Sequence, residues 1–443
     1  MLLKRTLVEF MEKLLASGID QVELYHREVD GLQVVVRERK VEGLQESSSR
    51  GVGVRAVKEG RLAFSYTTDF SEPGLGQLRE ALESFLAVTE PDEHNLLAKP
   101  LKPEEVELQA VDDADAGPRW LADRAHEMEE AALRIEGVKR VAEARASGGR
   151  SAVWLANSQG VELSSTRTSY SLSVDAVAEG APGLEQACSF SARRLRRELY
   201  QPKRLGEEAG RWAVSLLGGK PLPSGERRVV FSPLAGGQLL GFLAQALDGE
   251  QANMRTSFLT EKLGSKIASE LLTLREDPFL PGGIESATWD GEGTPTRKKD
   301  AVESGVLKGF LHNLYSAHRA GVEPTGNARR AGYASLPTIG SYNLHIANGA
   351  TPAGDLLGEV DEGLLVHDML GSGLEVASGM FSIGARGWRI HKGELAEPVA
   401  KVTIAAQMLD LLGDIDAVGS DLDLVRPYYS PTLRVKKMMV AGQ

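Results

Sequence analysis

From Glu226 onward the chain repeats one device, a short run rich in β-branched residues followed by a glycine turn. "ERRVVFS", "AVESGVLKGFLHN", "YNLHIANG", "GLLVHDML", "GMFSIGARGWRIHKGEL", "VTIAAQ" and "LRVKKMMVAG" each have the length and residue types of a strand. Many short strands joined by glycine turns predict a curled or barrel-like sheet. A β-rich, barrel-like carboxy-terminal domain is therefore expected over 222–443, with the boundary near Pro221.

The first half alternates differently. Leu3, Leu7, Phe10, Met11 and Leu14 share one helical face, and Gly18 is placed to end that helix near residue 17. "DQVELYHRE" and "GLQVVVRER" read as two strands, and "GVGVRAVKEGRLAFSYT" as a hairpin turning at Glu59-Gly60. A helix over 72–88 follows, with Ser71 as its cap and Leu75, Leu78, Leu82, Phe85 and Leu86 as its buried stripe. Residues 91–117 are acidic and carry prolines without a period, the composition of a linker. A second round begins with a helix near 118–136, continues with strands in "VKRVAEARAS", "RSAVWLANSQGVELSSTRT" and "SYSLSVDAVAEG", and closes with a helix over 205–218. The expected fold class is α+β, with a mixed α/β amino-terminal domain of antiparallel strands over 1–221, built as two lobes.

Several functions are excluded by charge and cysteine content. The net charge is −11, and no basic stripe exists that would mark a nucleic-acid binder. The basic clusters "RRLRRE" at Arg193–Glu198 and "RVKK" at Arg434–Lys437 read as solvated faces of a helix and a strand. The single cysteine, Cys188, has no partner for an internal disulfide and reads as structural. Lys4, Arg5, Glu9, Glu12 and Lys13 interrupt the apolar start, so neither a signal peptide nor a membrane span is expected, and a cytoplasmic location is.

Short motifs point to little chemistry. "HEMEE" at His126–Glu130 lacks the second histidine of a zincin helix and reads as a solvated charge run. "GVGVRA" at Gly51–Ala56 lies among strands, where a dinucleotide fingerprint has no meaning. His312 and His318 point to different faces of any helix, and His345, His367 and His391 sit in separate strands. Asp290 and Glu292 in "WDGEGTPT" suit either general acid–base work or a turn whose carboxylates accept backbone N–H groups, and the surrounding glycines and Pro295 favour the turn.

Taken in order, "SFLTEKLGSKIASELLTLREDP", "DGEGTPT", "SGVLKGFLHNLYSAHRAG", "PTGNARRAGY", "GLLVHDMLGSGLEVASGMF", "GWRIHKGELAEPV" and "TIAAQMLDLLGDIDAVGSD" resemble the TldD/PmbA family, known as modulators of DNA gyrase and as a metallopeptidase system. The likeness covers nearly all of 229–443, and "NSQGVEL" at Asn157–Leu163 resembles a family turn. In the TldD branch, H-E-x-x-x-H on the helix after "VVF" and a cysteine near the carboxy terminus hold zinc, with the glutamate activating water. On this chain those helix positions match Gly241, Phe242 and Ala246. No His or Glu occurs from Pro233 to Leu247, and "LVRPYYSPTLRV" has no cysteine.

The chain thus resembles the PmbA branch, also called TldE. The resemblance implies a subunit that binds no cofactor of its own and pairs as a heterodimer with a TldD-type partner holding the zinc. The pair would act on unfolded or leader peptides. The helix at 234–247 would serve packing, with Gly237 and Gly241 allowing close approach and Gln238 and Gln245 sharing a face. Asp290, Glu292, Thr325, Asn327, Arg329 and Arg330 are the candidates for contact with partner or peptide, the last four otherwise forming a glycine turn with solvated arginines. Two other functions stay open: an autonomous metal-dependent hydrolase drawing on Asp290, Glu292, His345 or His367, and a peptide-binding homodimer without catalysis. No nucleic acid or membrane partner is expected.

Overall fold

The computed structural model describes residues 2–113, 116–181, 183–424 and 429–442. Helix α1 (Leu2–Ala16) buries Leu7, Phe10 and Leu14, and Gly18 at φ +89° ends it. The chain then enters β1 (Gln21–Arg37), which runs straight through Asp30-Gly31. Two expected strands are therefore one. β1 pairs with β2 (Lys40–Lys58) on one side and with β4 (Val138–Asn157) on the other, Gly31 facing Gly149 across the second pairing. A Cβ on Gly149 would lie 2.8 Å from the Asp30 carbonyl oxygen. These glycines permit close approach inside a sheet and do not reverse the chain.

The hairpin from β2 to β3 (Arg61–Thr67) turns as expected, with Glu59 and Gly60 both at positive φ. β5 (Glu162–Gly180) and an unexpected strand, β6 (Gly183–Arg193), complete one antiparallel sheet of order β3-β2-β1-β4-β5-β6. The two expected lobes thus share a single sheet, joined where β1 meets β4.

Four helices cover one face of this sheet. α1 and α2 (Glu72–Val88) pack over Leu24, Val54 and Trp154. α3 (Pro118–Leu133) and α4 (Pro202–Ser215) pack over Val34, Val36 and Leu172. Ser71 caps α2 as expected, but Phe85 is exposed, because Leu75, Leu78, Leu82 and Leu86 alone fill the buried stripe. In α3 the "HEMEE" run is not wholly solvated. Glu129 is buried and accepts the Arg39 N–H at 3.0 Å, holding the β1–β2 turn, where Glu38 and Arg39 are both at positive φ.

In the second half, β7 (Gly225–Phe231) and the strands Leu433–Ala441, Glu394–Gln407, Met380–His391 and Glu362–Leu370 close a five-stranded barrel. An odd ring cannot alternate direction throughout, so one neighbouring pair must run parallel. That pair is β7 with Glu362–Leu370. The barrel core contains Phe231, Val366, Phe381 and Val435, and α5 (Pro233–Ala246) adds Leu239, Leu243 and Ala246 to it. The α+β class and the barrel-like second half are both as expected.

Both basic clusters differ from expectation. Arg434 is buried and bonds Asp416 at 2.8 Å and Glu359 at 2.6 Å. Arg194 is 2% exposed. Arg194 follows β6 and Arg434 lies within the strand Leu433–Ala441, both in packed structure, so local charge density misstates their surroundings. Among the described residues, no helix is long and apolar enough to cross a membrane.

Candidate functional site

Two places hold the candidate residues, helix α5 and the seam where the amino-terminal sheet meets the carboxy-terminal loops. α5 starts because Ser232 caps it, its Oγ accepting the Ala235 N–H at 3.2 Å while donating to the His367 carbonyl at 2.6 Å. Gln238 clamps the helix to the barrel by a two-way amide pair with the Met369 backbone, at 2.9 and 3.0 Å.

The packing glycine is not Gly241. A Cβ there would meet nothing within 4 Å, whereas one on Gly236 would collide with Ser430. Gln245 is exposed and, among the described residues, reaches only the Gly241 carbonyl, at 3.4 Å, so it does not share the clamping role of Gln238. Phe242 stands at 5.9 Å from Phe381, ring centre to ring centre, and Ala246 is fully buried. None of these three side chains has an atom that ligates a metal, and the positions do not open into one cavity: Gly241 faces outward and Ala246 inward. Four residues of "LVRPYYSPTLRV", 425–428, lie outside the described residues.

The seam is dense in charge. β1 and β2 turn Glu23 and Arg55 away from the helices, toward the "DGEGTPT" turn and the "PTGNARRAGY" loop. Arg55 donates to both oxygens of Glu23, at 2.8 and 2.6 Å, and to Glu292 at 2.7 Å. Arg330 adds a further bond to Glu23, donates to the Gly291 carbonyl at 2.7 Å and stacks over Tyr25 at 4.6 Å. Burial works against the Glu23 carboxylate, but Arg330 and Arg55 outweigh it and hold its pKa below the ordinary value. Burial likewise opposes the Arg55 charge, and Glu23 and Glu292 overcome that to raise its pKa.

Asp290 closes the turn, accepting the Glu292, Thr294 and Ala328 N–H groups, each at 2.9 Å. Burial, then the charge of Glu292, push its pKa up to about 7. The turn reading of Asp290 and Glu292 therefore describes the geometry, and both are 1% exposed.

The "PTGNARRAGY" loop is not a turn with solvated arginines. Asn327 is fully buried and donates to Glu276 at 2.7 Å and the Gly340 carbonyl at 2.9 Å. Thr325 Oγ1 accepts the His312 N–H at 2.6 Å. The Arg330 side chain is 1% exposed. Arg329 is ion-paired with Glu285 and lies over Tyr342 at 4.4 Å. Tyr333, the last residue of the loop, covers Gly51 and Gly53 of "GVGVRA", where any Cβ would run into it. Gly51 admits the Tyr333 ring and Gly53 its backbone carbonyl, both from the other half of the molecule.

The candidate histidines His312, His318, His345, His367 and His391 do not converge. His312 bonds Ser316 at 3.0 Å, His318 faces His94 at 2.9 Å, and His345 contacts the Asn343 carbonyl at 2.9 Å. His367 lies between Trp212 and Trp388, and His391 pairs with Glu362. Among the described residues no three His, Cys, Asp or Glu side chains form a group that could hold a metal ion, so Asp290, Glu292, His345 and His367 are not brought together as one.

Glu23 and Arg55 went unnoticed in the sequence, and Arg194 was expected to be solvated. Glu23 alternates with Val22 and Leu24, and Arg55 with Val54 and Ala56, the pattern of a face turned to solvent.

Three family models match in order along the sequence: PmbA/TldA metallopeptidase domain 1 over 22–89, the central domain over 111–217 and the C-terminal domain over 224–442. The chain belongs to the PmbA/TldD family. Metalloprotease PmbA of Escherichia coli O157:H7 is 27% identical over 97% of this chain and 94% of its own length. A metalloprotease TldD homolog from Buchnera aphidicola subsp. Acyrthosiphon pisum is 25% identical over 94% and 88%. TldE from Thermococcus kodakarensis superimposes with a TM-score of 0.89 at 25% identity, covering 99% of this chain and 100% of that one. A structure described as a modulator of a DNA gyrase, from Thermotoga maritima, gives 0.88 at 27% identity, covering 98% and 100%. Relatives of the PmbA/TldD family thus match under both of its names, and the class they share is metalloprotease-like.

Proposed function

We propose that this chain is a PmbA/TldE-type subunit of a two-chain metalloprotease, supplying shape and peptide contacts while a TldD-type partner supplies the zinc. The observation that carries this reading is α5. By the family resemblance Gly241, Phe242 and Ala246 match the positions of the zinc motif, and their side chains offer no ligand, so no hydrolytic step is assigned to them. Hydrolysis of a peptide needs an activated water and a stabilised oxyanion, which a zinc–glutamate pair provides. What this chain offers is sheet. Strand edges hold an extended peptide by main-chain hydrogen bonds without reading its side chains, which suits unfolded or leader peptides. A hydrolase built on Asp290, Glu292, His345 and His367 finds no support in their dispersal.

The test is metal content and cleavage. The purified chain is expected to carry far less than stoichiometric zinc and to leave an unfolded peptide intact. Adding a relative that bears H-E-x-x-x-H is expected to give cleavage that chelators stop. Stoichiometric zinc in this chain, or chelator-sensitive cleavage without a partner, ends the proposal.

A further inference from the structure

Among the described residues Arg194 has no counter-ion. It follows β6, with its backbone held by the Gly282 carbonyl and by the Thr168 hydroxyl, which donates to its carbonyl at 2.8 Å. Its guanidinium is nine-tenths and more buried, yet it donates only to the Ser286 and Ile284 carbonyls through one nitrogen. Nε is buried with no partner, and Nη1 makes no hydrogen bond among the described residues. Burial, then Arg167 beside it, push its pKa down to about 9; Arg329 adds to this, and Tyr429 opposes it. A buried charge of one sign normally meets its opposite, so an orphaned guanidinium marks a missing anion.

The space for that anion is present. Arg194 lines a cavity of about 130 Å³ between β4–β5 and the 286–291 turn, together with Arg167, Ser165, Thr288 and Asp290. Arg167, on β5, is half-buried and has no carboxylate partner among the described residues. At roughly 30 Å³ per water, the cavity holds about four waters or a carboxylate with its first carbons. Two guanidinium forks suit a planar carboxylate. Asp290 in the wall disfavours a doubly charged phosphate.

We infer that this cavity is a carboxylate-binding subsite, in which Arg194 and Arg167 receive a carboxylate of a bound peptide, either its free carboxy terminus or an acidic side chain. This rests on the reading of the chain as one that holds peptide.

The test is isothermal titration of the full-length chain with three N-acetylated hexapeptides of otherwise uncharged residues: the free acid, its carboxy-terminal amide, and the amide with one internal aspartate. The free acid, the aspartate peptide or both are expected to bind at least tenfold more tightly than the plain amide, and which of them does so names the source. Arg167→Met and Arg194→Met are expected to remove that advantage. Because Arg194→Met also strips a donor from Ser286, Arg167→Met carries the test if the former fails to fold. Equal binding of all three peptides overturns the inference, as does an advantage that survives Arg167→Met, or no binding at all. None of these outcomes alters the zinc measurement, so the two proposals fail separately.

Discussion

Helix α5 and the seam between sheet and loops are opposites. α5 has no histidine, cysteine or carboxylate, and its positions 241, 242 and 246 are occupied by glycine, phenylalanine and alanine. The seam has no motif with a catalytic name, yet it gathers Glu23, Arg55, Asp290, Glu292 and Arg330 in near-complete burial. An apolar helix tolerates change on its open side. A buried ion network tolerates almost none, because each charge left alone keeps its desolvation penalty. Constraint in this chain therefore lies at the joint between its halves.

The comparison breaks first at Arg55. Arg55→Met leaves Glu292 without its ion pair and Glu23 with only Arg330. The expected loss is about 3–5 kcal/mol by urea unfolding. A loss below about 1 kcal/mol would make the seam as permissive as α5 and erase the contrast.

Next in size is a pH effect at Asp290. Its folded pKa of about 7 lies above the value of an unfolded aspartate. Between roughly pH 4 and pH 7 the native state binds the extra proton, so this group adds stability as pH falls through that window. The shift corresponds to something on the order of 2–4 kcal/mol. Glu23 is shifted the other way, so its contribution is lost only below the ordinary glutamate range, near roughly pH 4. Melting curves from pH 8 to pH 5 should rise for the wild type and flatten for Asp290→Asn. Parallel curves would show that Asp290 does not titrate there.

The smallest effect lies within α5 and sharpens the contrast. Ala246→His forces a larger ring into a closed core and is expected to cost about 1–3 kcal/mol. Gly241→His enters open space and should change stability by no more than about 0.5 kcal/mol. Equal costs in differential scanning calorimetry would mean that the two positions share one environment.

Much of the scaffold was legible in the sequence. The stripes of α1 and α2, the Glu59-Gly60 turn and the strand-and-glycine texture of the barrel follow from local periodicity and turn chemistry, which act over a few residues. The blank face of α5 needed only residue identity. Where glycine served a long-range contact, local reasoning misread it. Gly31 and Gly149 lie within paired strands, and Gly51 and Gly53 make room for Tyr333.

Sequence alone determined the buried stripes of α1 and α2, that the second half curls into a barrel, and that α5 has no histidine, cysteine or carboxylate side chain. Tertiary structure alone decided that Glu23, Arg55, Glu292 and Arg330 meet, that Arg194 is buried without a counter-ion among the described residues, and that two lobes share one sheet. The physical reason is range. Periodicity and capping are set by neighbours a turn away, whereas the partner of a buried charge is set by packing between segments that no local spacing relates.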